Sequence, residues 1–127
     1  GCRVDLQGCA PFVSRVSGEL LYRCFENVIR NAVRHTHPET AVLVVAGTNP
    51  DGSSLTVRIA DQGPGVEESR LQRIFDPFER GASEAGSGFG LGLAIASRAV
   101  EMHGGTILAR NQAGGGLCVE IHLPRQA

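Results

Sequence analysis

Glycines stand at positions 86, 88, 90 and 92, and an apolar run begins inside that spacing. It reads Leu91, Leu93, Ala94, Ile95, Ala96, then Ala99, Val100 and Met102, and stops at His103-Gly104-Gly105. Leu91, Ile95 and Met102 fall close together on a helical wheel, which predicts a helix closed by glycine. A glycine-rich loop feeding a helix N-terminus is a ready anion site. Its backbone N–H groups stand clear of any Cβ, and the helix dipole adds partial positive charge. A flexible linker or a tight turn would use the same residues. Two common nucleotide motifs are excluded. The dinucleotide fingerprint fails because Leu91 and Leu93 occupy the third-glycine positions. The P-loop needs a lysine, and all 12 basic residues here are arginine. A phosphate ligand at this loop therefore requires another fold.

The 127 residues suffice for one domain with a real core, and 42% hydrophobic with 20% charged residues is ordinary for a globular chain. A net charge of −1 leaves no electrostatic footprint for nucleic acid. No apolar run has transmembrane length and no signal-peptide pattern is visible, so a cytoplasmic setting is expected. Cys2, Cys9, Cys24 and Cys118 form no C-x-x-C pair, and reduced, partly buried thiols are expected.

Along the chain, residues 3–7 and 12–16 alternate loosely and read as two short strands. Ser17 reads as an N-cap, with Glu19 in the first turn. A strong helical stripe follows through His35 (Leu20, Leu21, Cys24, Phe25, Val28, Ile29, Ala32), and His37-Pro38 ends it. Residues 41–46 read as a buried strand. Asn49-Pro-Asp-Gly52 is a turn, and residues 55–60 form a strand with Leu55, Val57 and Ile59 on one face. Residues 67–75 read as a short helix, 76–88 as a long polar loop and 90–103 as a helix. Residues 106–110 and 117–123 form a hairpin around Gly114-Gly-Gly116, with Leu117, Val119, Ile121 and Leu123 facing the core and Cys118, Glu120 and His122 facing away. Paired strands with helices between them predict an α+β two-layer sandwich: a mixed, mostly antiparallel sheet with helices on one face.

Two stretches carry chemistry. Asn27, Asn31 and Arg34 lie within an arc of about 60° on the first long helix. A solvated edge is the plain reading, but two asparagines on one helix face carry a propensity cost that calls for a reason. Their amide oxygens suit a hard cation such as Mg²⁺, and Arg34 suits a phosphate. Asp61 ends an alternating strand and enters Gln62-Gly-Pro-Gly65. It serves either a turn or a fixed carboxylate that accepts from an exocyclic amine, with the glycines admitting a flat ligand.

Taken in order, Glu26-Asn-Val-Ile-Arg-Asn-Ala-Val-Arg-His35, Asp61-Gln-Gly-Pro-Gly65, Phe75-Asp-Pro-Phe78 and Gly88-Phe-Gly-Leu-Gly-Leu93 resemble the catalytic ATP-binding domain of two-component sensor histidine kinases. That domain shares a superfamily (GHKL, with the Bergerat-type ATP-binding fold) with gyrase, a heat-shock chaperone and a mismatch-repair ATPase. The resemblance spans nearly the whole chain and implies one catalytic domain over residues 1–127. It implies ATP and Mg²⁺ as ligands, with Asn27 and Asn31 as the metal pair. Arg34 stands in place of a basic phosphate contact that is often Lys, and His35 where the family often has Tyr. Asp61 takes the part of the adenine-reading carboxylate, with Gly63 and Gly65 beside it. Phe75 and Phe78 match the phenylalanine motif before the ATP lid, and Arg80 a phosphate contact on that lid. Gly88, Phe89, Gly90, Leu91, Gly92 and Leu93 match the nucleotide-facing run after it. Asn27, Asn31, Arg34 and Arg80 are thus the expected catalytic set.

None of His35, His37, His103 and His122 sits in a phospho-acceptor pattern, and His103 stands at a helix end that suits the dipole. The resemblance places the acceptor on a dimerising helical hairpin of the full-length protein, which these residues do not include. It makes this piece monomeric, the whole protein a homodimer and a response regulator the downstream partner. The superfamily's ATPases carry a glutamate base four residues before the metal-binding asparagine. Asn27 holds that place here, and Glu26 is turned 100° from it, so little hydrolysis by the domain alone is expected. The alternatives are a stand-alone ATPase of the superfamily, a serine-directed kinase of the anti-sigma type, and a non-catalytic nucleotide-binding interaction module.

Overall fold

The computed structural model describes residues 3–7, 18–48, 50, 53–76 and 92–124. The elements run β1 (Arg3–Gln7), α1 (Gly18–His35), β2 (Ala41–Thr48), β3 (Ser54–Ala60), two 3-10 turns (Glu68–Arg70 and Arg73–Phe75), α2 (Gly92–Met102), β4 (Thr106–Asn111) and β5 (Leu117–Pro124). One five-stranded sheet forms in the order β1-β2-β3-β5-β4. β1 is parallel to β2, and every other pair is antiparallel. α1 packs on β2 and β3, α2 on β4 and β5, and the helices pack on each other. The expected two-layer α+β sandwich is the fold observed.

Strand alternation decides what the helices cover. Val42 and Val44 of β2, Leu55, Val57 and Ile59 of β3, and Val119, Ile121 and Leu123 of β5 are buried in one cluster. Register aligns them across the sheet: Val44 opposes Ile59, Ile59 opposes Val119, and Val57 opposes Ile121. Cys24, Val28 and Ala32 meet this face from α1, one turn apart, and Leu93, Ala96 and Val100 meet it from α2. Each fully buried Ile or Leu contributes about 1.5–3 kcal/mol by leaving water. The Cys24 thiol donates to the Ala96 carbonyl across the helix pair at 3.6 Å, and burial pushes its pKa up to about 12. Cys24 and Cys118 are free and buried.

α1 ends where its sequence says it should. Arg34 and His35 occupy the last turn, and the Thr36 N–H closes on the Ala32 carbonyl before Pro38. α2 ends in a Schellman motif: the Gly105 N–H reaches the Val100 carbonyl, the Gly104 N–H reaches the Glu101 carbonyl, and Gly104 takes φ +77°. His103 is buried beneath this cap, its Nδ1 donating to the Ala99 carbonyl at 2.7 Å.

Three expectations change. The short helix over 67–75 is two 3-10 turns, with Leu71 and Ile74 buried three residues apart. Threefold periodicity suits that spacing, and Glu67 supplies no side-chain cap to nucleate an α-helix. On α2, Ile95 and Met102 are exposed at 51% and 63%, while Leu93, Ala96, Ala99 and Val100 are buried. The helix is apolar around most of its circumference, and packing against α1 selects the face with small residues. Residues 41–46 are not buried throughout, since Leu43 and Val45 lie half-buried on the uncovered side of the sheet. The strand expected at 12–16, the Ser17 cap, most of the turn at 49–52, and the 76–88 loop beyond Asp76 lie outside the described residues.

Candidate functional site

The polar face of α1 is built by the same periodicity that builds its core stripe. With Cys24, Val28 and Ala32 turned into the core, Asn31 is 7% exposed, Asn27 is half-buried and Arg34 is exposed. Glu26 points elsewhere: its carboxylate pairs with Arg30, one turn on, at 3.2 Å. The first residue of α2 lies against this face. A Cβ placed on Gly92 would stand 3.9 Å from the Asn27 Cβ and 4.0 Å from its Oδ1. The opening turn of α2, with backbone N–H groups that have no intrahelical partner, therefore begins beside Asn27.

His35 lies two turns further along α1, about 12 Å from Asn27 along the axis. There it meets the loop that follows β3. Asp61 is 3% exposed, and its Oδ1 accepts from the Gly63 N–H at 2.9 Å and the Leu117 N–H at 3.1 Å. These two amides fix the plane of the carboxyl group. Gly63 has no room for a side chain, since a Cβ would collide with the His35 carbonyl. His35, Asp61, Pro64, Gly65, Val66 and Leu117 line a cavity of about 20 Å³, room for about one water. Burial, then the charge of Arg34, pushes the His35 pKa below its usual 6.5 against the opposing pull of Asp61. The ring beside Asp61 is neutral at neutral pH.

The residues singled out in the sequence thus fall into two groups on one helix wall. Asn27, Asn31 and Gly92 gather at one end, and His35, Asp61, Gly63 and Gly65 at the other. Phe75 packs half-buried against the core cluster, and Leu93 is fully buried within it, anchoring the start of α2. Phe78, Arg80, Gly88, Phe89, Gly90 and Leu91 lie outside the described residues. Sequence reasoning missed the bracing of the Asp61 loop. Thr36 Oγ1 accepts from the Gln62 N–H, the Gln62 side chain donates to the Ala41 carbonyl, and the Gln112 side chain donates to the Asp61 carbonyl. The nearest signal was the polar pair Asn111-Gln112 just before three glycines, which reads only as a turn.

A larger cavity, about 310 Å³, lies on the uncovered face and is lined by Leu43, Val45, Arg58, Ala60, Arg110 and Cys118 among others. Asn111 and Gln112 also line it, but Asn27, Asn31, Arg34, His35, Asp61, Gly63, Gly65 and Gly92 do not. On that face Glu120, 5% exposed, takes Arg58 Nε at 2.5 Å, Arg110 Nη2 at 3.3 Å and His122 Nε2 at 3.0 Å. Burial pushes the Glu120 pKa up, but the hydrogen bonds from Arg58 and His122, with the two guanidinium charges, outweigh it and hold the group below its usual value.

The donors at the two ends suit two different chemistries. A fixed carboxylate beside glycines can accept from an amine on a flat ring, and paired amide oxygens near a helix N-terminus suit a hard cation with its anion. Residues 17–127 match the family described as histidine kinase-, DNA gyrase B- and HSP90-like ATPase. The chain is 47% identical over 107 residues to the sensor protein PfeS of Pseudomonas aeruginosa, spanning 84% of this chain and 23% of that protein. It therefore covers about a quarter of this curated relative. Among solved structures, the mycobacterial sensor histidine kinase MprB superposes with a TM-score of 0.82 at 30% identity, over 99% of this chain and 84% of that one. Full-length ShkA in complex with AMPPNP superposes with a TM-score of 0.80 at 29% identity, over 100% of this chain and 26% of that one.

Proposed function

This chain belongs to the histidine kinase-, DNA gyrase B- and HSP90-like ATPases, as a sensor histidine kinase catalytic domain, and from that premise we propose that it binds Mg²⁺·ATP and donates the γ-phosphate to a histidine on a separate helical domain. The observation that carries the reading is the buried, amide-fixed carboxylate of Asp61 beside His35, with Asn27 about two helical turns back along α1 next to the start of α2. That spacing suits a ligand with an aminated base at one end and phosphates at the other.

When bound, Mg²⁺·ATP supplies the transferable phosphoryl group and the charge that offsets it. The residues of this chain bind and orient. Asp61 accepts from the adenine amine, and Gly65 allows the base to approach. Asn27 and Asn31 hold the cation through amide oxygens. Arg34, with Arg80, contacts phosphate oxygens as a fixed cation. His35, neutral beside Asp61, closes the base-binding end. Positioning and charge neutralisation then account for the rate, as in phosphoryl transfer generally. Asn27 has no proton-accepting group at neutral pH, and Glu26 is engaged with Arg30. Water is therefore a poor competitor for the phosphoryl group. This counts against the stand-alone ATPase.

The wider setting follows from the same proposal. The acceptor hairpin belongs to the full-length protein, a homodimer, with a response regulator downstream. This domain sits on the cytoplasmic side of an inner-membrane sensor. No helix among the described residues is long and apolar enough to cross a membrane. The test is radiolabel transfer from Mg²⁺·ATP to a supplied histidine-bearing hairpin domain, run beside phosphate release, with Asn31→Ala as blank. The expected result is label on histidine and phosphate release near the blank. Absence of label with sustained turnover on the order of 1 s⁻¹ would replace the kinase with an ATPase. Binding without either activity would leave an interaction module.

A further inference from the structure

The loop that presents Asp61 is fastened at both ends to the β4–β5 hairpin. At its start, the Asp61 N–H donates to the Leu117 carbonyl at 3.0 Å, the Leu117 N–H returns to Asp61 Oδ1, and Gln112 Nε2 donates to the Asp61 carbonyl at 2.9 Å. At its far end one side chain does the work of a strand. Asn111 Oδ1 accepts from the Val66 N–H at 2.8 Å, and Asn111 Nδ2 donates to the Val66 carbonyl at 2.5 Å. A backbone N–H only donates and a carbonyl only accepts, so one orientation of the amide satisfies both. The same Nδ2 lies 3.4 Å from Glu68 Oε1. Between the clamps, Gly65 takes φ +77°, and a Cβ on it would stand 2.7 Å from Asn111 Oδ1. The carboxamide fills the space that a side chain at position 65 would need.

We propose that Asn111 is a positioning residue that sets base specificity: by locking Val66 to the hairpin, it holds the loop over Asp61 at the width that admits adenine and rejects guanine. The proposal rests on the reading of Asp61 as the base contact. Asn111 touches no reacting atom. It acts because discrimination between an amine and a carbonyl needs the base held against the carboxylate to within about 0.5 Å. With Val66 released, the Asp61 carboxyl keeps its two amides, but the loop opposite it does not keep its place. ATP binding weakens, and the preference over GTP narrows.

The experiment is calorimetric binding of Mg²⁺·ATP and Mg²⁺·GTP to the wild-type protein, Asn111→Ala and Asn111→Asp. Aspartate has nearly the volume of asparagine and still accepts from the Val66 N–H. Its second oxygen would face the Val66 carbonyl and the Glu68 carboxylate, where like acceptors repel. Both variants should bind ATP about tenfold more weakly, the alanine because it loses both hydrogen bonds and the aspartate because it loses one and gains a repulsion, with a smaller loss for GTP. A space-filling role predicts that Asn111→Asp behaves as wild type, and that result overturns the proposal. Should the variants not fold, hydrogen exchange on the wild type decides: the Val66 amide must be protected, and free exchange there overturns the clamp. A wild-type protein that binds ATP and GTP alike overturns the reading of Asp61 and the inference with it. A wild type that discriminates, with variants that discriminate equally, overturns the inference alone.

Discussion

Two carboxylates are buried among the described residues, and they are held in opposite ways. Asp61 rests on neutral donors, the backbone amides of Gly63 and Leu117. Glu120, on the other face of the sheet, rests on Arg58, Arg110 and His122. Their exposures are nearly equal, 3% and 5%, so burial does not separate them. Partner charge does. A carboxylate between two guanidinium groups has its field cancelled locally and serves to tie strands together. One satisfied by backbone amides has no cationic partner, which is the arrangement the proposed base contact needs. Arg58 and Arg110 stay about half-exposed, so their heads remain hydrated and the Glu120 cluster contributes only as a surface ion-pair network does.

The largest expected effect tests that contrast directly. Asp61→Ala should weaken Mg²⁺·ATP binding by about a hundredfold or more, because the adenine amine loses its acceptor and two buried N–H groups lose theirs, at about 1–3 kcal/mol each. Glu120→Gln should change it by less than about twofold. Calorimetry on both variants reads the difference, and equal losses would erase the distinction between the two carboxylates. Next in size, wild-type protein should prefer ATP to GTP by about tenfold to a hundredfold, since guanine presents a carbonyl where Asp61 needs a donor and the mismatch leaves a buried group unpaired. Equal affinities would make Asp61 as structural as Glu120.

A third comparison probes how tightly the loop is braced. Gly116 has φ +98°, and a Cβ there would collide with the Asp61 carbonyl, whereas nothing lies within 4 Å of a Cβ on Gly114. Gly116→Ala should therefore cost at least about 1–3 kcal/mol in denaturant unfolding, and Gly114→Ala less than about 0.5 kcal/mol. Equal costs would mean that the hairpin does not hold the loop. The smallest effect belongs to Glu120. Its pKa is lowered in the folded protein from the usual 4.5, so the unfolded chain takes up the proton first as pH falls. The stability advantage of the wild type over Glu120→Gln should be full above pH 4.5 and fade as pH drops through the folded value. It should stay under about 1 kcal/mol, in keeping with partners that are half-exposed. An advantage that grew in acid would reverse the sign.

Local pattern was enough for much of this protein. The period of 3.6 along α1 places Cys24, Val28 and Ala32 in the core and Asn27 and Asn31 beside it. The period of two along β5 assigns Val119 and Ile121 to the covered face. Glycine and proline mark the turn after Asp61, because the backbone conformations they favour are properties of single residues. Other features depend on which distant residues come to lie side by side. Ile95 and Met102 are as apolar as Leu93 and Val100, and only the approach of α1 decides which pair is buried. Cys118 and Glu120 alternate outward along β5 as expected, yet they are buried. For Glu120 the cause is visible in Arg58 and Arg110, which reach its carboxylate from β3 and β4. Asn111 meets Val66 from 45 residues away, through a register set by the whole sheet. Periodicity records which way a side chain points, and pairing across that distance is settled only when the sheet closes.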